Sequence, residues 1–192
     1  MTRSGASIVR RTSKTDNYST PTQAVHALLD RENFAPSILE PAAGEGNIAR
    51  ALLAEGYSVT ASDIRELPVM DYPGLDIFSK EAVKVACLTH SDIITNPPFS
   101  IALPFAERCL ELTGRKIALL LRIQFLEGAR RRKFLTTSPL KAVYVFSSRI
   151  SMYPEGEENL GGGTQCFAWF VWDREWCSLR GDRQEPVVRW IP

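Results

Sequence analysis

Apolar and polar positions along the chain fall into short blocks whose period switches between two and about 3.6, the mark of strands interleaved with helices. "SILEP" (37–41) predicts a short strand that runs straight into a glycine-rich turn, and "GNIARALLAEG" (46–56) predicts a helix closed by Gly56. "YSVTASDI" (57–64) alternates as a strand and ends in an acid. After a loop with Pro68, Pro73 and Gly74, "LDIF" (75–78) predicts a short edge strand, "KEAVKVACLTH" (80–90) a helix and "SDIITN" (91–96) a buried strand. The second half repeats the alternation: helix 104–114, strand 116–123, helix 127–137, strand 141–148 and strand 165–173, with a Pro-, Gly- and acid-rich mobile loop over 149–164. Upstream, "TPTQAVHALLD" (20–30) predicts a helix with Thr20 as N-cap, Pro21 at the first helical position and Gln23 completing a capping box.

This alternation predicts an α/β sheet with helices on both faces, whose ligands bind beyond the carboxyl ends of the strands. The polar, basic residues 1–17 read as a flexible arm, 18–173 as a single domain and 174–192 as a polar C-terminal tail. With 192 residues, 44% hydrophobic and 23% charged, the chain is ordinary for one globular domain and unlike a disordered segment. A formal net charge of +1 argues against a sheath of positive charge and leaves room for a local basic patch. No apolar run approaches the ~18 residues that span a bilayer. The basic N-terminus lacks the apolar stretch of a secretory signal, so the expected location is the cytoplasm. Cys87, Cys109, Cys166 and Cys177 form no C-x-x-C pair and are expected to be reduced, with neither zinc nor disulfides.

The turn Glu40-Pro41-Ala42-Ala43-Gly44-Glu45-Gly46-Asn47-Ile48-Ala49 carries G-x-G-x-x-A between strand and helix. Small residues there admit a ligand close to the backbone, and the helix start offers free N–H groups. Asp63, at the end of the next strand, is placed to accept hydrogen bonds from both hydroxyls of a ribose. This spacing serves a nicotinamide or flavin dinucleotide as well as S-adenosylmethionine. Glu40 and Pro41 shift the balance: a carboxylate repels a pyrophosphate but favours a sulfonium and an ammonium, and proline donates nothing to an anion. Asp76 offers a polar anchor for an adenine amino group, with Ile64 and Ile77 or Phe78 as walls of the ring.

At the end of the buried strand stands Asn96-Pro97-Pro98-Phe99. Two prolines stiffen the segment and remove its donors, leaving carbonyl acceptors and one amide side chain. The Asn96 side-chain oxygen and the Pro97 carbonyl can accept both hydrogens of an exocyclic amino group. That pulls the nitrogen toward tetrahedral geometry and localises its lone pair for attack on a methyl sulfonium. Rigidity matters because the reacting atoms must meet at about 3–3.5 Å. Phe99 offers a flat face for an extruded base. His26 and His90 have no partner pattern, so no catalytic base is assigned, and none is needed when the proton leaves after transfer.

"EPAAGEG", Asp63, Asp76 and "NPPF", in that order, resemble the cofactor and catalytic motifs of the S-adenosylmethionine-dependent amino-methyltransferases, closest to the small phage- and prophage-type adenine-specific DNA enzymes. "YSTPTQAV" (18–25) is similar to the segment that those enzymes close over the methionine part of the cofactor, which adds Tyr18 and Pro21 to the site. The resemblance spans roughly residues 18–173. It implies a Rossmann-like class I methyltransferase sheet of seven strands with a final antiparallel hairpin. It implies S-adenosyl-L-methionine held by Tyr18, Pro21, Glu40, Pro41, Ala42, Gly44, Gly46, Asp63, Ile64, Asp76 and Ile77, and catalysis at Asn96, Pro97, Pro98 and Phe99. The implied activity is methylation of the adenine amino nitrogen in DNA, in a bacterial host cell, with masking of the genome from nucleases as a family role.

The same tetrapeptide occurs in relatives that methylate RNA bases or protein glutamine amides, so those substrates stay open, as does a catalytically silent binding module of the same fold. A monomer and a dimer are equally compatible with the sequence. Typical site-specific enzymes carry a separate recognition domain, and this chain departs from that pattern. Substrate contacts are expected from Arg122, Gln124 and Phe125 after one strand, and from Arg130 in the cluster Arg130-Arg131-Arg132-Lys133. Backbone phosphates would suit that cluster and the arm residues Arg3, Arg10, Arg11 and Lys14. Phe167, Trp169, Phe170 and Trp172 read chiefly as core.

Overall fold

The computed structural model describes residues 18–68, 70–89, 92–150, 152–154, 165–178 and 185–192. The basic arm, the tip of the 149–164 loop, His90, Arg180 and Arg183 lie outside the described residues. In chain order the strands are β1 (Tyr18–Ser19), β2 (Ser37–Glu40), β3 (Ser58–Asp63), β4 (Tyr72–Pro73), β5 (Asp92–Thr95), β6 (Lys116–Arg122), β7 (Leu140–Phe146), β8 (Tyr153–Pro154), β9 (Phe167–Asp173) and β10 (Val187–Ile191). The α-helices are α1 (Thr22–Leu29), α2 (Asn47–Ala54), α3 (Lys80–Thr89), α4 (Ala102–Leu112), α5 (Ala129–Thr137) and α6 (Arg174–Ser178).

Eight strands form one mixed sheet in the order β10-β7-β9-β6-β5-β2-β3-β4, and β1 pairs with β8 in a separate two-stranded ribbon. Within the sheet β9 runs antiparallel to both neighbours, β6 and β7, and the other pairings are parallel. The central strands are buried on both faces and divide their side chains by the period of two. Ile38, Ile94, Leu120, Trp169 and Val171 pack against α1 and α2, while Leu39, Ile93, Leu119, Leu121, Phe170 and Trp172 pack with side chains of α3, α4 and α5. The aromatics of β9 are core, as their density suggests: the Trp169 indole N–H donates to the Ala24 carbonyl at 2.7 Å and that of Trp172 to Ser138 Oγ at 2.9 Å. All four cysteines are unpaired, and no helix among the described residues is long and apolar enough to cross a membrane.

Three expectations are corrected. The segment read as a polar tail carries α6 and β10, and β10 extends the sheet to eight strands by pairing in register with Ala142–Phe146. Its ladder needs only backbone, so Val187, Val188 and Trp190 stay exposed while Ile191 is buried. The edge strand is Tyr72–Pro73 rather than 75–78; the Asp76 carboxylate accepts the Phe78 N–H at 2.9 Å and turns that segment toward α3. Helix α1 begins at Thr22 with Pro21 as N-cap and no side-chain cap, because Thr20 is buried and engaged elsewhere.

The sheet's order reverses between β2 and β5, which puts the turn after β2, the end of β3 and the tetrapeptide after β5 on one rim. At the opposite, amino end the starts of β6 and β7 and the end of β9 hold a buried ionic cluster. Lys116 Nζ donates to Glu32 Oε2 and to the Asn33 carbonyl, both at 2.9 Å, and lies 3.2 Å from Asp173. Lys141 Nζ and the Tyr144 hydroxyl each reach Glu32 at 2.7 Å. Burial pushes the Glu32 and Asp173 carboxyls up, but the Lys116 and Lys141 cations, joined by the Tyr144 hydroxyl at Glu32 and the Trp176 N–H at Asp173, outweigh it and leave both below the ordinary carboxylate range.

A group with a depressed folded-state pKa stabilises above its unfolded value and loses that contribution as the pH falls through the folded value. The thermal midpoint is therefore expected to hold between neutrality and about pH 5 and to fall as the pH drops through and below the carboxylate range. Lys116→Met is expected to destabilise by about 3–5 kcal/mol, the cost of stripping one partner from a buried ion pair. Thermal melts across pH and urea titration check both.

Candidate functional site

Glycine at two positions shapes the turn after β2: Gly44 (φ 56°) and Gly46 (φ 77°) take left-handed conformations that side chains disfavour. The bend presents the start of α2 beside the end of β3. The Gly44 N–H donates to Asp63 Oδ2 at 2.9 Å, and the Ala43 N–H donates to the Ser62 carbonyl at 3.0 Å. Asp63 is buried and its carboxylate is full. Oδ1 accepts the Arg65 backbone N–H at 2.9 Å and its Nε at 3.0 Å, while Oδ2 adds Arg65 Nη2 at 3.2 Å to the Gly44 bond. Ribose hydroxyls can reach Asp63 only in place of the Arg65 side chain, a partner that the spacing argument missed. Ile64 is 60% exposed and Phe78 46% exposed on this rim. Ile77 is instead buried in the core, and Asp76, half-buried, spends one oxygen on its own turn.

Glu40 closes β2 and is 1% exposed. Its Oε2 has no hydrogen-bond partner among the described residues. Burial pushes its carboxyl well above the ordinary range; the nearby Asp63 charge adds to that, against the Ala49 N–H and the Arg50 cation. Pro41 is buried behind it and Ala42 lies half-buried in the turn.

Asn96 follows β5, and the structure fixes which way its amide points. Nδ2 donates to the Tyr18 carbonyl at 3.1 Å and to Thr20 Oγ1 at 3.0 Å. Both amide hydrogens are thus spent on the segment before α1. Oδ1 is buried and has no partner among the described residues. Thr20, read as a helix cap, is in fact the positioning acceptor of this amide. The sequence carried no signal for it, since the two residues are 76 positions apart. Ser19, next to it, accepts from Asn47 Nδ2 at the start of α2, so the same short segment ties the tetrapeptide to the glycine turn.

Pro97 is buried and Pro98 half-buried; the Pro98 carbonyl accepts the Ile101 N–H at 3.2 Å. The Phe99 ring meets Tyr18 at 5.5 Å and Phe167 at 5.6 Å between centroids. The Arg122 guanidinium lies 4.7 Å from its centroid and 5.8 Å from that of Tyr18, with Nη2 3.4 Å from the Tyr18 hydroxyl. A base can stack on Phe99 only beside or in place of this cation. Arg122 Nε is buried without a partner. Of the other expected substrate contacts, Gln124 is exposed in a short 3-10 turn, and Phe125 is buried with its ring edge-on to Phe170 at 5.3 Å. Phe125 and Arg130 line an open cleft of about 440 Å³ beside Phe99.

Four buried side-chain polar atoms lack a partner among the described residues: Glu40 Oε2, Thr95 Oγ1, Asn96 Oδ1 and Arg122 Nε. All four close or directly follow the adjacent strands β2, β5 and β6. Each such group costs about 1–3 kcal/mol when left unpaired, so their gathering on one rim makes it the candidate site for a polar ligand.

No protein-family model and no curated protein matches the chain. Solved structures do. Atu636 from Agrobacterium tumefaciens, a predicted O-methyltransferase, superposes with a TM-score of 0.57 at 16% identity over 89% of this chain and 86% of its own. The 23S rRNA methyltransferase ErmE superposes with a TM-score of 0.53 at 13% identity over 83% of this chain and 70% of its own. The fold is thus the Rossmann-like methyltransferase fold. Two neighbours named for different substrates make plain that the fold does not choose the substrate.

Thr20→Val removes one acceptor of the Asn96 amide while keeping the side chain's shape. It is expected to lower stability by about 1–3 kcal/mol in urea titration, the cost of a buried donor left unpaired.

Proposed function

We propose that this chain is an S-adenosylmethionine-dependent methyltransferase acting on the exocyclic amino nitrogen of adenine in DNA, with residues 18–173 as its catalytic domain. The observation that carries the reading is the Asn96 amide, pinned through both hydrogens with its oxygen buried and unpartnered. An acceptor held in this way, followed by two prolines, suits an incoming N–H₂ group.

The residues around the glycine turn fit the cofactor. Glu40 is a buried carboxyl with one oxygen unpartnered among the described residues, next to the Asp63 charge, and a cation relieves both. When bound, S-adenosylmethionine supplies an electrophilic methyl group on a sulfonium. The chain's own residues do the rest. Tyr18, Pro21, Pro41, Ala42, Gly44 and Gly46 would shape its seat; Asp63 would meet the ribose once Arg65 yields, and Ile64 and Asp76 would meet the adenine, with Ile77 behind them.

Asn96 Oδ1 accepts one amino hydrogen of the target. The Pro98 carbonyl is taken by Ile101, which leaves the Pro97 carbonyl for the second. With its lone pair localised in this way, the nitrogen would be poised to accept the methyl group that the bound cofactor would supply, and its surplus proton would pass to solvent. Arg122, beside Phe99 and Tyr18, brings positive charge to where a phosphodiester strand delivers the target.

The test is transfer of label from tritiated cofactor. Label is expected in DNA lacking adenine methylation and, after digestion, in N6-methyladenine. Label confined to RNA or protein would move the substrate to that polymer, and no label together with no heat of cofactor binding would sink the reading. Asn96→Ala is expected to bind cofactor as the parent does while transfer falls by roughly 10² or more, the scale for removing one preorganised polar contact to the reacting group. Undiminished transfer would count against the mechanism.

Glu40 adds a pH dependence. A cation favours the ionised carboxylate, so binding lowers the raised pKa of Glu40 and releases a proton. Affinity for the cofactor is therefore expected to rise with pH above the ordinary carboxylate range. Glu40→Gln is expected to bind more weakly and to lose that dependence, as read by calorimetry across pH.

A further inference from the structure

The cleft beside Phe99 is separate from the glycine turn. Its lining includes Phe99, Leu103 and Pro104 from the start of α4, Phe125 as its floor, and Arg130 and Arg131 from the first turn of α5. No acidic residue lines it among the described residues. Arg131 rests its guanidinium 5.8 Å from the Phe125 ring centroid, while Arg130 is exposed at the rim. Arg132 and Lys133, on the same helix, turn away and do not line it. Arg122 lies over the Phe99 ring at 4.7 Å while Arg130 and Arg131 line the cleft, and none of the three has an acidic partner among the described residues. At about 440 Å³ the cleft is within the size range of small-ligand sites. An apolar floor joined to two unneutralised cations has the chemistry of a nucleotide seat: a base ring lies on the apolar side chains and a phosphate meets the guanidinium pair.

We propose that this cleft binds the nucleotide adjacent to the target in the same DNA strand, its base against Phe125 and Leu103 and its phosphate on Arg130 and Arg131. The proposal rests on the reading of the rim as a DNA amino-methyltransferase site and deepens it. Phe99 is the wall common to both places: the tetrapeptide holds the target on one side, and the cleft holds the neighbour on the other. The sequence context of methylation is then read here, through the shape of the apolar floor.

Anisotropy of fluorescent DNA oligonucleotides, titrated with the full chain at several salt concentrations, tests the proposal. The Arg130→Ala/Arg131→Ala double variant is expected to lower the slope of log affinity against log salt by about 0.7–0.9, the value for one neutralised phosphate. Leu103→Trp fills the floor without changing charge and is expected to weaken binding about tenfold, the loss of one stacked base, at an unchanged slope. Arg132→Ala, on the same helix but outside the cleft, is expected to keep the parent slope. An unchanged slope in the double variant, an equal loss in Arg132→Ala, or parent affinity in Leu103→Trp overturns the proposal. Binding of RNA oligonucleotides in preference to DNA overturns its choice of polymer. Methyl incorporation into DNA, measured alongside, keeps the two readings apart. Incorporation with an unchanged slope sinks the cleft alone, and a reduced slope with no incorporation in any polymer sinks the methyltransferase reading and leaves the cleft a nucleotide seat with no methylation target beside it.

Discussion

The Asn96 amide has two hydrogens and one oxygen, and the fold satisfies only the hydrogens. That single imbalance orients everything near it. Because the donors are committed to Tyr18 and Thr20, rotation of the amide would set its oxygen against the Tyr18 carbonyl, with at most the Thr20 hydroxyl able to turn and donate to it. The oxygen is therefore held in one direction and left in need of a donor. Leaving a buried acceptor unpaired costs about 1–3 kcal/mol, and Glu40, Thr95 and Arg122 add to the sum on the same rim. A small domain tolerates such a concentration only where the rest of the chain is well satisfied.

The opposite end of the sheet meets that condition. Asp92, at the start of β5, is fully buried and accepts the Ala35 N–H at 2.7 Å and two guanidinium nitrogens of Arg115. Lys116, at the start of β6, is held by Glu32 and Asp173. So β5 and β6 begin in fully paired ions and end in unpaired polar atoms. The polarity of the sheet is thus also a polarity of satisfaction. Stability is concentrated at the amino end, and the rim where chemistry is proposed is kept incomplete.

The sequence made legible what depends on local order. The glycine turn, the acid at the end of β3 and the stiff tetrapeptide after β5 are each contiguous signals, and the α/β alternation placed them on one rim before any coordinates. What it hid is non-local. Thr20 looked like a helix cap because Thr-Pro-x-Gln is a local pattern, whereas its real partner is a side chain far along the chain. Asp63 looked open to a ribose because spacing cannot register Arg65 folding back on it. Phe125 follows a strand end as well, and its ring both packs in the core against Phe170 and lines the cleft beside Phe99, a double position that local order does not reveal. β10 was taken for tail because its apolar side chains mostly face solvent, and only backbone pairing with β7 makes it a strand.

The two-residue strand β1 joins these parts more tightly than its length suggests. Its Tyr18 carbonyl and the following Thr20 hydroxyl hold Asn96, its Ser19 hydroxyl accepts from Asn47 at the glycine turn, and its Tyr18 ring packs on Phe99 under Arg122. Its backbone also pairs with β8, Ser19 opposite Tyr153 and Tyr18 opposite Pro154, which connects all of them to the connection between β7 and β9. Two residues cannot hold a conformation through their own ladder, so β1 is positioned by what it touches. The orientation of the amide, the shape of the glycine turn and the placing of the aromatic wall are therefore one mechanical unit. A change in any of its contacts, including the backbone pairing with β8, thus bears on the direction of the Asn96 oxygen.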